Sequence, residues 1–113
     1  METEKKKTGE GKFVLQIGEK IFFSDIKIEL SLSEKNKISI LSKIENENEI
    51  LHSIRLEINK WLKYYADKAV FINATIIHVG FQDDGEFQVK KGVSLAFHDG
   101  LPKIGINPPQ IFG

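Results

Sequence analysis

The segment that decides the fold lies between residues 51 and 65 and reads LHSIRLEINKWLKYY. Its large apolar side chains recur at helical spacing, with Leu62 lying beside the third turn. The periodic positions are Leu51, Ile54, Ile58, Trp61 and Tyr65. Side chains with this spacing form one stripe along an α-helix, and such a stripe is stable only when another element buries it. The segment therefore predicts one long amphipathic helix packed on a sheet.

Strand patterns precede this helix. Between Asp25 and Leu32 polar and apolar residues alternate, and a period of two is typical of a strand with one buried face. A polar turn over residues 33–37 follows, and Ile38 and Ile40 resume the alternation, which predicts a hairpin between these two runs. A further strand is predicted at Phe13–Ile17, where Gly18 closes it.

The segment after the helix, residues 70–81, reads VFINATIIHVGF and is β-branched and apolar on both faces, which predicts a central strand. Asp83-Asp84-Gly85 is a typical hairpin turn. Short strands are predicted after it at residues 86–89, 93–97 and 104–106.

The element order β-β-β-α-β-β-β indicates the α+β class. We expect a mostly antiparallel sheet of about five to six strands, with one long helix on one face. In topology alone this order resembles the ribosomal-protein-S5-like arrangement, which places several strands before a helix and one after it. No motif in the chain carries that likeness, so it assigns no family.

The 113 residues fit a single domain, which we place at residues 13–107. Residues 1–12 are polar, charged and glycine-containing, and are expected to form a flexible tail. Residues 108–113 begin with two prolines and form an apolar C-terminal tail.

The central strand presents more apolar side chains than a single helix covers. Either the sheet curls over its own second face, or another chain supplies the cover. The apolar end of the C-terminal tail either folds back into the core or docks into a partner. We therefore predict a non-enzymatic interaction module (a subunit, adaptor or inhibitor-type protein) that binds a protein partner or a second copy. The predicted interface residues are Phe71, Ile77, Val79, Phe81, Ile111 and Phe112.

A nucleic-acid-binding accessory protein is the main alternative, with a lysine-rich N-terminal arm and basic residues at the end of the helix. The residues for this alternative are Lys60, Lys63, Tyr64, Lys68, Lys90 and Lys91. Glutamates dilute this charge, the 16 acidic residues balance the 16 basic ones, and Arg55 is the sole arginine of the chain.

Sequence motifs for chemistry are few. The chain has no cysteine and no phosphate-binding or nucleophile-elbow motif, so neither a cofactor nor a metal is predicted. A small metal- or histidine-dependent enzyme is a third alternative, which requires His78, His98 and Asp99 to converge. No apolar run approaches the roughly 20 residues of a membrane span, and we expect a cytoplasmic protein.

Overall fold

The computed structural model describes residues 6–40, 48–82 and 86–107. Its elements are the strands β1 (Lys7–Ile17), β2 (Lys20–Ser33), β3 (Lys37–Ile40) and β4 (Phe71–Gln82), with the helices α1 (Asn48–Ala66) and α2 (Glu86–Gly100). A 3-10 turn at Leu101–Ile104 follows α2. The α+β class is confirmed.

The four strands form one mixed sheet in the order β1-β2-β4-β3. β2 pairs antiparallel with both β1 and β4, whereas β3 pairs parallel with β4. The predicted hairpin between β2 and β3 is therefore wrong, because α1 carries the chain from β3 to β4 and parallel neighbours need such a crossover.

The first hairpin joins β1 to β2 through a two-residue turn. Ile17 pairs with Lys20, and Gly18 adopts a positive φ of 62°, which a glycine tolerates without strain. The pairing continues to Lys7, which lies opposite Leu30. Residues 7–12 thus belong to a strand and not to the expected flexible tail.

Helix α1 confirms the prediction made from its apolar stripe. Leu51, Ile54, Ile58, Trp61 and Tyr65 are all buried. They join a single core cluster with the alternating apolar residues of β2 and β4. Because an amphipathic helix gains most of its stability from tertiary packing, burial of this stripe against the sheet stabilises α1.

Helix α2 replaces the strands predicted at residues 86–89 and 93–97. Residues 104–106 also form no strand, since Ile104 closes the 3-10 turn and the Ile106 N–H donates to the Leu101 carbonyl. The predicted turn at 83–85 lies outside the described residues. The buried face of α2 includes Val89, Val93 and Phe97, whose spacing of four residues is helical as well as compatible with a strand.

Glycines let α2 lie directly on β1. A Cβ on Gly11 would stand 2.0 Å from the Gly92 carbonyl oxygen, and one on Gly9 would stand 2.0 Å from that of Ala96. Backbone thus meets backbone, and only glycine fits at these two strand positions. This contact explains why residues 9–11, which resemble a polar tail in sequence, are ordered in a strand.

The two helices cover the same face of the sheet. Trp61 of α1 stacks on Phe97 of α2, with ring centroids 5.0 Å apart and an interplanar angle of 9°. Both rings are fully buried. The second helix therefore supplies on one face the cover that a single helix could not give.

Candidate protein-interaction surface

A β-bulge in β4 separates the interface residues that the sequence placed on one face. Lys27 of β2 pairs with His78, but the next residue, Ile28, pairs with Ile76, so Ile77 is the extra residue. A bulge reverses the faces that follow it. As a result, Val79 and Phe81 pack against the core on the helix-covered side.

Val79 and Phe81 therefore do not lie on the second face of the sheet, where the sequence placed them, and their assignment as contact residues stays a prediction. Phe71 and Ile77 are half-buried and do not join the core cluster. Their strand neighbours Asn73 and Thr75 are polar, so the apolar pattern of this strand belongs mainly to the covered side. Ile111 and Phe112 lie outside the described residues.

No element of the described residues covers the other face of the sheet, which we call the uncovered face, and it is largely polar. This face holds a cavity of about 220 Å³ that is lined by Lys6, Glu29, Ser31, Lys37, Asn73 and Thr75. Nearby, His78 Nε2 lies 3.7 Å from Asp25 Oδ2. This face does not present the apolar surface that the sequence suggested.

Four of the eight exposed large apolar side chains of the described residues lie on the far part of the first hairpin, residues 13–23, which we call the hairpin arm. Val14 is 63% exposed, Ile17 59%, Ile21 40% and Leu15 37%. Single exposed apolar residues are ordinary, but four within one hairpin are not. The molecule measures 52 × 31 × 20 Å along its principal axes, and is thus markedly elongated.

Aromatic rings join the hairpin arm to the start of α2. The Phe87 ring lies 5.8 Å from that of Phe13 and 5.4 Å from that of Phe22. Phe87 is itself 41% exposed. The first pair meets edge to face at 83° and the second is tilted at 56°, so Phe87 packs against the arm through both rings.

The outer edge of β1 is closed at one end only. The Glu10 N–H donates to Asp99 Oδ2 over 2.9 Å, and Lys103 Nζ donates to the Thr8 carbonyl over 2.8 Å. Lys103 also lies 3.2 Å from the Asp99 carboxylate. The Glu10 N–H, helped by the Lys103 ammonium, holds the pKa of Asp99 below its ordinary value of 3.8 despite partial desolvation.

Beyond Glu10 the same edge is open. Backbone groups of an antiparallel edge strand point outward at every second residue, so those of Lys12, Val14 and Gln16 face the same way as those of Thr8 and Glu10. Among the residues that the structure describes, none bonds to these three outward pairs. Proteins usually protect such edges, because a free edge templates pairing with another strand.

The basic residues of the nucleic-acid alternative lie in two places. Lys90 and Lys91 line a groove with Glu57, which also forms an ion pair with Lys60 at 3.2 Å. Lys63 is exposed one turn after Lys60 on α1. The carboxylate of Glu57, buried to 8% exposure, reduces the positive field between these lysines.

Tyr64 is less available for base stacking than its sequence position suggested. Lys68 Nζ lies 4.8 Å from the ring centroid, and the Tyr65 ring packs edge-on at 5.0 Å. The side chain is half-buried. A base would therefore have to displace a cation–π contact to stack on it.

The histidines do not converge. His98 packs edge-on against Trp61 at 5.3 Å on the helix side, whereas His78 stands on the uncovered face and Asp99 binds the β1 edge. Within residues 6–40, 48–82 and 86–107, no cluster of three metal-ligating side chains occurs. Likewise, neither helix of the described chain is long and apolar enough to cross a membrane.

Comparison with known proteins adds evidence on the fold. No family model matches the chain, and no curated protein matches it significantly. A similar solved structure is that of ttk003000868 from Thermus thermophilus, with a TM-score of 0.69 and 19% sequence identity. The match covers 88% of this chain but 16% of that protein, so this chain spans about a sixth of its length. The likeness shows the fold alone.

Sequence reasoning missed the hairpin arm. Every residue from 14 to 21 is exposed, although the sequence predicted only an ordinary strand at Phe13–Ile17 closed by Gly18. The available signal was that Val14, Leu15, Ile17 and Ile21 form a dense apolar group on both sides of a tight turn. Turn-proximal residues of a hairpin are seldom covered, so apolar residues there are expected to be exposed.

Proposed function

We propose that this chain is a non-enzymatic protein-interaction module, a subunit, adaptor or inhibitor-type protein, whose contact surface is the hairpin arm with Phe87. The observation that carries the proposal is the group of exposed apolar side chains on the arm, headed by Val14 and Ile17. Covering such a surface releases about 25 cal/mol for each Å² of apolar area removed from water. A partner would therefore bind mainly by burying apolar side chains, and hydrogen bonds to the open β1 edge would orient it.

Site-specific photocrosslinking in the native cell tests this proposal. A benzophenone amino acid is placed at Ile17 in the arm, or at Leu56 as the matched control. Leu56 is 50% exposed but lies on α1, away from the arm. We expect discrete crosslinked products from the position-17 variant and none from the position-56 variant.

The proposal fails if the arm position yields no discrete product, or if both positions yield the same products. As a control, both variants must unfold at the same temperature as the wild type, so that only folded proteins are compared. A crosslink to a second copy of the chain counts as a product, since a homo-oligomer is also a protein complex.

Nucleic-acid binding is the less supported alternative. The lysines around Glu57 form a local basic group, but the chain as a whole has no net charge to attract a polyanion. Binding of a single-stranded oligonucleotide to this group should weaken steeply with salt and be lost in a Lys90→Glu, Lys91→Glu variant. Absence of binding at low salt would exclude it.

A further inference from the structure

We propose that the open half of the β1 edge pairs antiparallel with the same edge of a second copy, so that two sheets join into one. This inference rests on the proposed function, because it names the partner that the interaction surface binds. Its support is the pattern of backbone groups and side chains along residues 12–16.

The closed half of the edge fixes where pairing can occur. Asp99 accepts the Glu10 N–H and Lys103 donates to the Thr8 carbonyl, so an incoming strand would have to displace both contacts to bond there. The turn at Gly18 ends the strand on the other side. The open outward positions are therefore Lys12, Val14 and Gln16, and a two-fold axis has to pass through the middle one.

That register is self-complementary. Val14 lies opposite the partner's Val14, and Lys12 lies opposite the partner's Gln16, so like charges do not face each other. On the helix side, Phe13 comes beside the partner's Leu15, which brings apolar residues together. A chain with 16 basic and 16 acidic residues also carries no net charge that would repel a second copy.

The pairing gives about six new backbone hydrogen bonds across the axis. Five residues a side fall short of the roughly 20–30 residues of a standard interface. We therefore expect a weak dimer, with a dissociation constant in the micromolar range. A larger partner that adds a strand to the same edge would be a different occupant, and the test below separates the two.

Sedimentation velocity over a range of concentrations tests the register directly. Val14→Lys and Val14→Glu each place two like charges opposite each other across the axis, and each should weaken the dimer more than about tenfold. An equimolar mixture should restore association, because the two charges then attract across the axis. Val14→Thr, which keeps the β-branched shape without charge, should still dimerise, as should Leu56→Lys.

A wild-type chain that stays monomeric at all concentrations overturns the inference, as does a charge-variant mixture that remains monomeric while the wild type dimerises. The first result leaves the proposed function standing if the crosslinker at Ile17 still captures other proteins. If the wild type is monomeric and that crosslinker captures nothing, both fail. Because Val14 is 63% exposed, its substitutions should leave thermal unfolding of the monomer unchanged.

Discussion

Adding a single methyl group at Gly11 should separate α2 from β1. The Cβ of a Gly11→Ala variant would stand 2.0 Å from the Gly92 carbonyl oxygen and 2.6 Å from the Ala96 nitrogen. Both obstacles are helix backbone, so no side chain can rotate to make room. To restore ordinary contact at about 3.4–4 Å the helix must move by about 1.4–2.0 Å.

The cost of that movement follows from packing. A gap of 0.5–1 Å forfeits about a quarter to a half of the dispersion contact of each atom that it separates. Forced overpacking of a core costs about 1–3 kcal/mol, and a backbone obstacle belongs near the upper end. Replacing glycine returns roughly 0.5–1 kcal/mol by restricting the unfolded chain. We expect Gly11→Ala to lower the free energy of unfolding by about 2 kcal/mol.

Gly80→Ala is the matched control, since it adds the same methyl group to another strand glycine. The nearest atom to that Cβ would be His78 Nε2 at 3.4 Å, an ordinary contact, so the free energy of unfolding should change by less than about 0.5 kcal/mol. Urea denaturation measured by circular dichroism and by the fluorescence of the single tryptophan gives both values. Equal stability of the two variants would refute the close packing of α2 on β1.

Three further predictions concern stability. Phe97→Ala removes the ring stacked on Trp61 and should cost about 3–5 kcal/mol in urea denaturation, and a loss below about 1 kcal/mol would contradict that stacking. The pKa of Asp99 is lowered in the fold, mainly because its carboxylate accepts the Glu10 N–H. The stability that the charged carboxylate gives to the fold is therefore present above pH 3.8 and is lost as the pH falls through the folded pKa. Asp99→Asn should therefore be less stable than the wild type by under about 1 kcal/mol at neutral pH, with the difference closing in acid, and a pH-independent difference would contradict this. Burial, together with the neighbouring Tyr64, raises the pKa of Tyr65 to about 12. The stability that the neutral Tyr65 hydroxyl gives to the fold is therefore fully present below pH 10 and declines as the pH rises toward 12. Tyr65→Phe loses the hydrogen bond from the Tyr65 hydroxyl to the Asn107 carbonyl, which is worth about 1 kcal/mol at neutral pH. The greater stability of the wild type over this variant should disappear between pH 10 and 12, and urea denaturation at each pH measures it.

The sequence predicted correctly those elements whose apolar periodicity fits only one kind of secondary structure. The stripe of α1 fits only a helix, and the alternation between Asp25 and Leu32 fits only a strand. Helix α2 was missed because Val93, Leu95 and Phe97 alternate as a strand would, while Val89, Val93 and Phe97 also recur at helical spacing. The two interpretations are equal locally, and contact with β1 decides between them.

The tertiary reason for α2 is a second stripe of small residues. Gly92, Ala96 and Gly100 recur every four residues and meet Gly9 and Gly11 across the interface. Each half of this contact looks unstructured in sequence, because glycine lowers both helix and strand propensity. The role of these small residues is evident only when α2 and β1 are packed together.

The sequence placed the exposed apolar side chains on the wrong element. An excess of apolar side chains was predicted for β4, but the bulge at Ile77 returns Val79 and Phe81 to the core. A bulge depends on the register with β2, which one sequence does not specify. Whether an apolar residue near a turn is covered likewise depends on how far the helices extend over the hairpin.

The central structural claim is that the edge of β1 is closed at Glu10 and open beyond it. Amide hydrogen exchange measured by nuclear magnetic resonance at several protein concentrations tests it residue by residue. The Glu10 amide, bonded to Asp99, should be protected at every concentration, whereas those of Lys12, Val14 and Gln16 should exchange fast when dilute and become protected as the concentration rises. Protection of these three amides that does not depend on concentration would contradict an open edge.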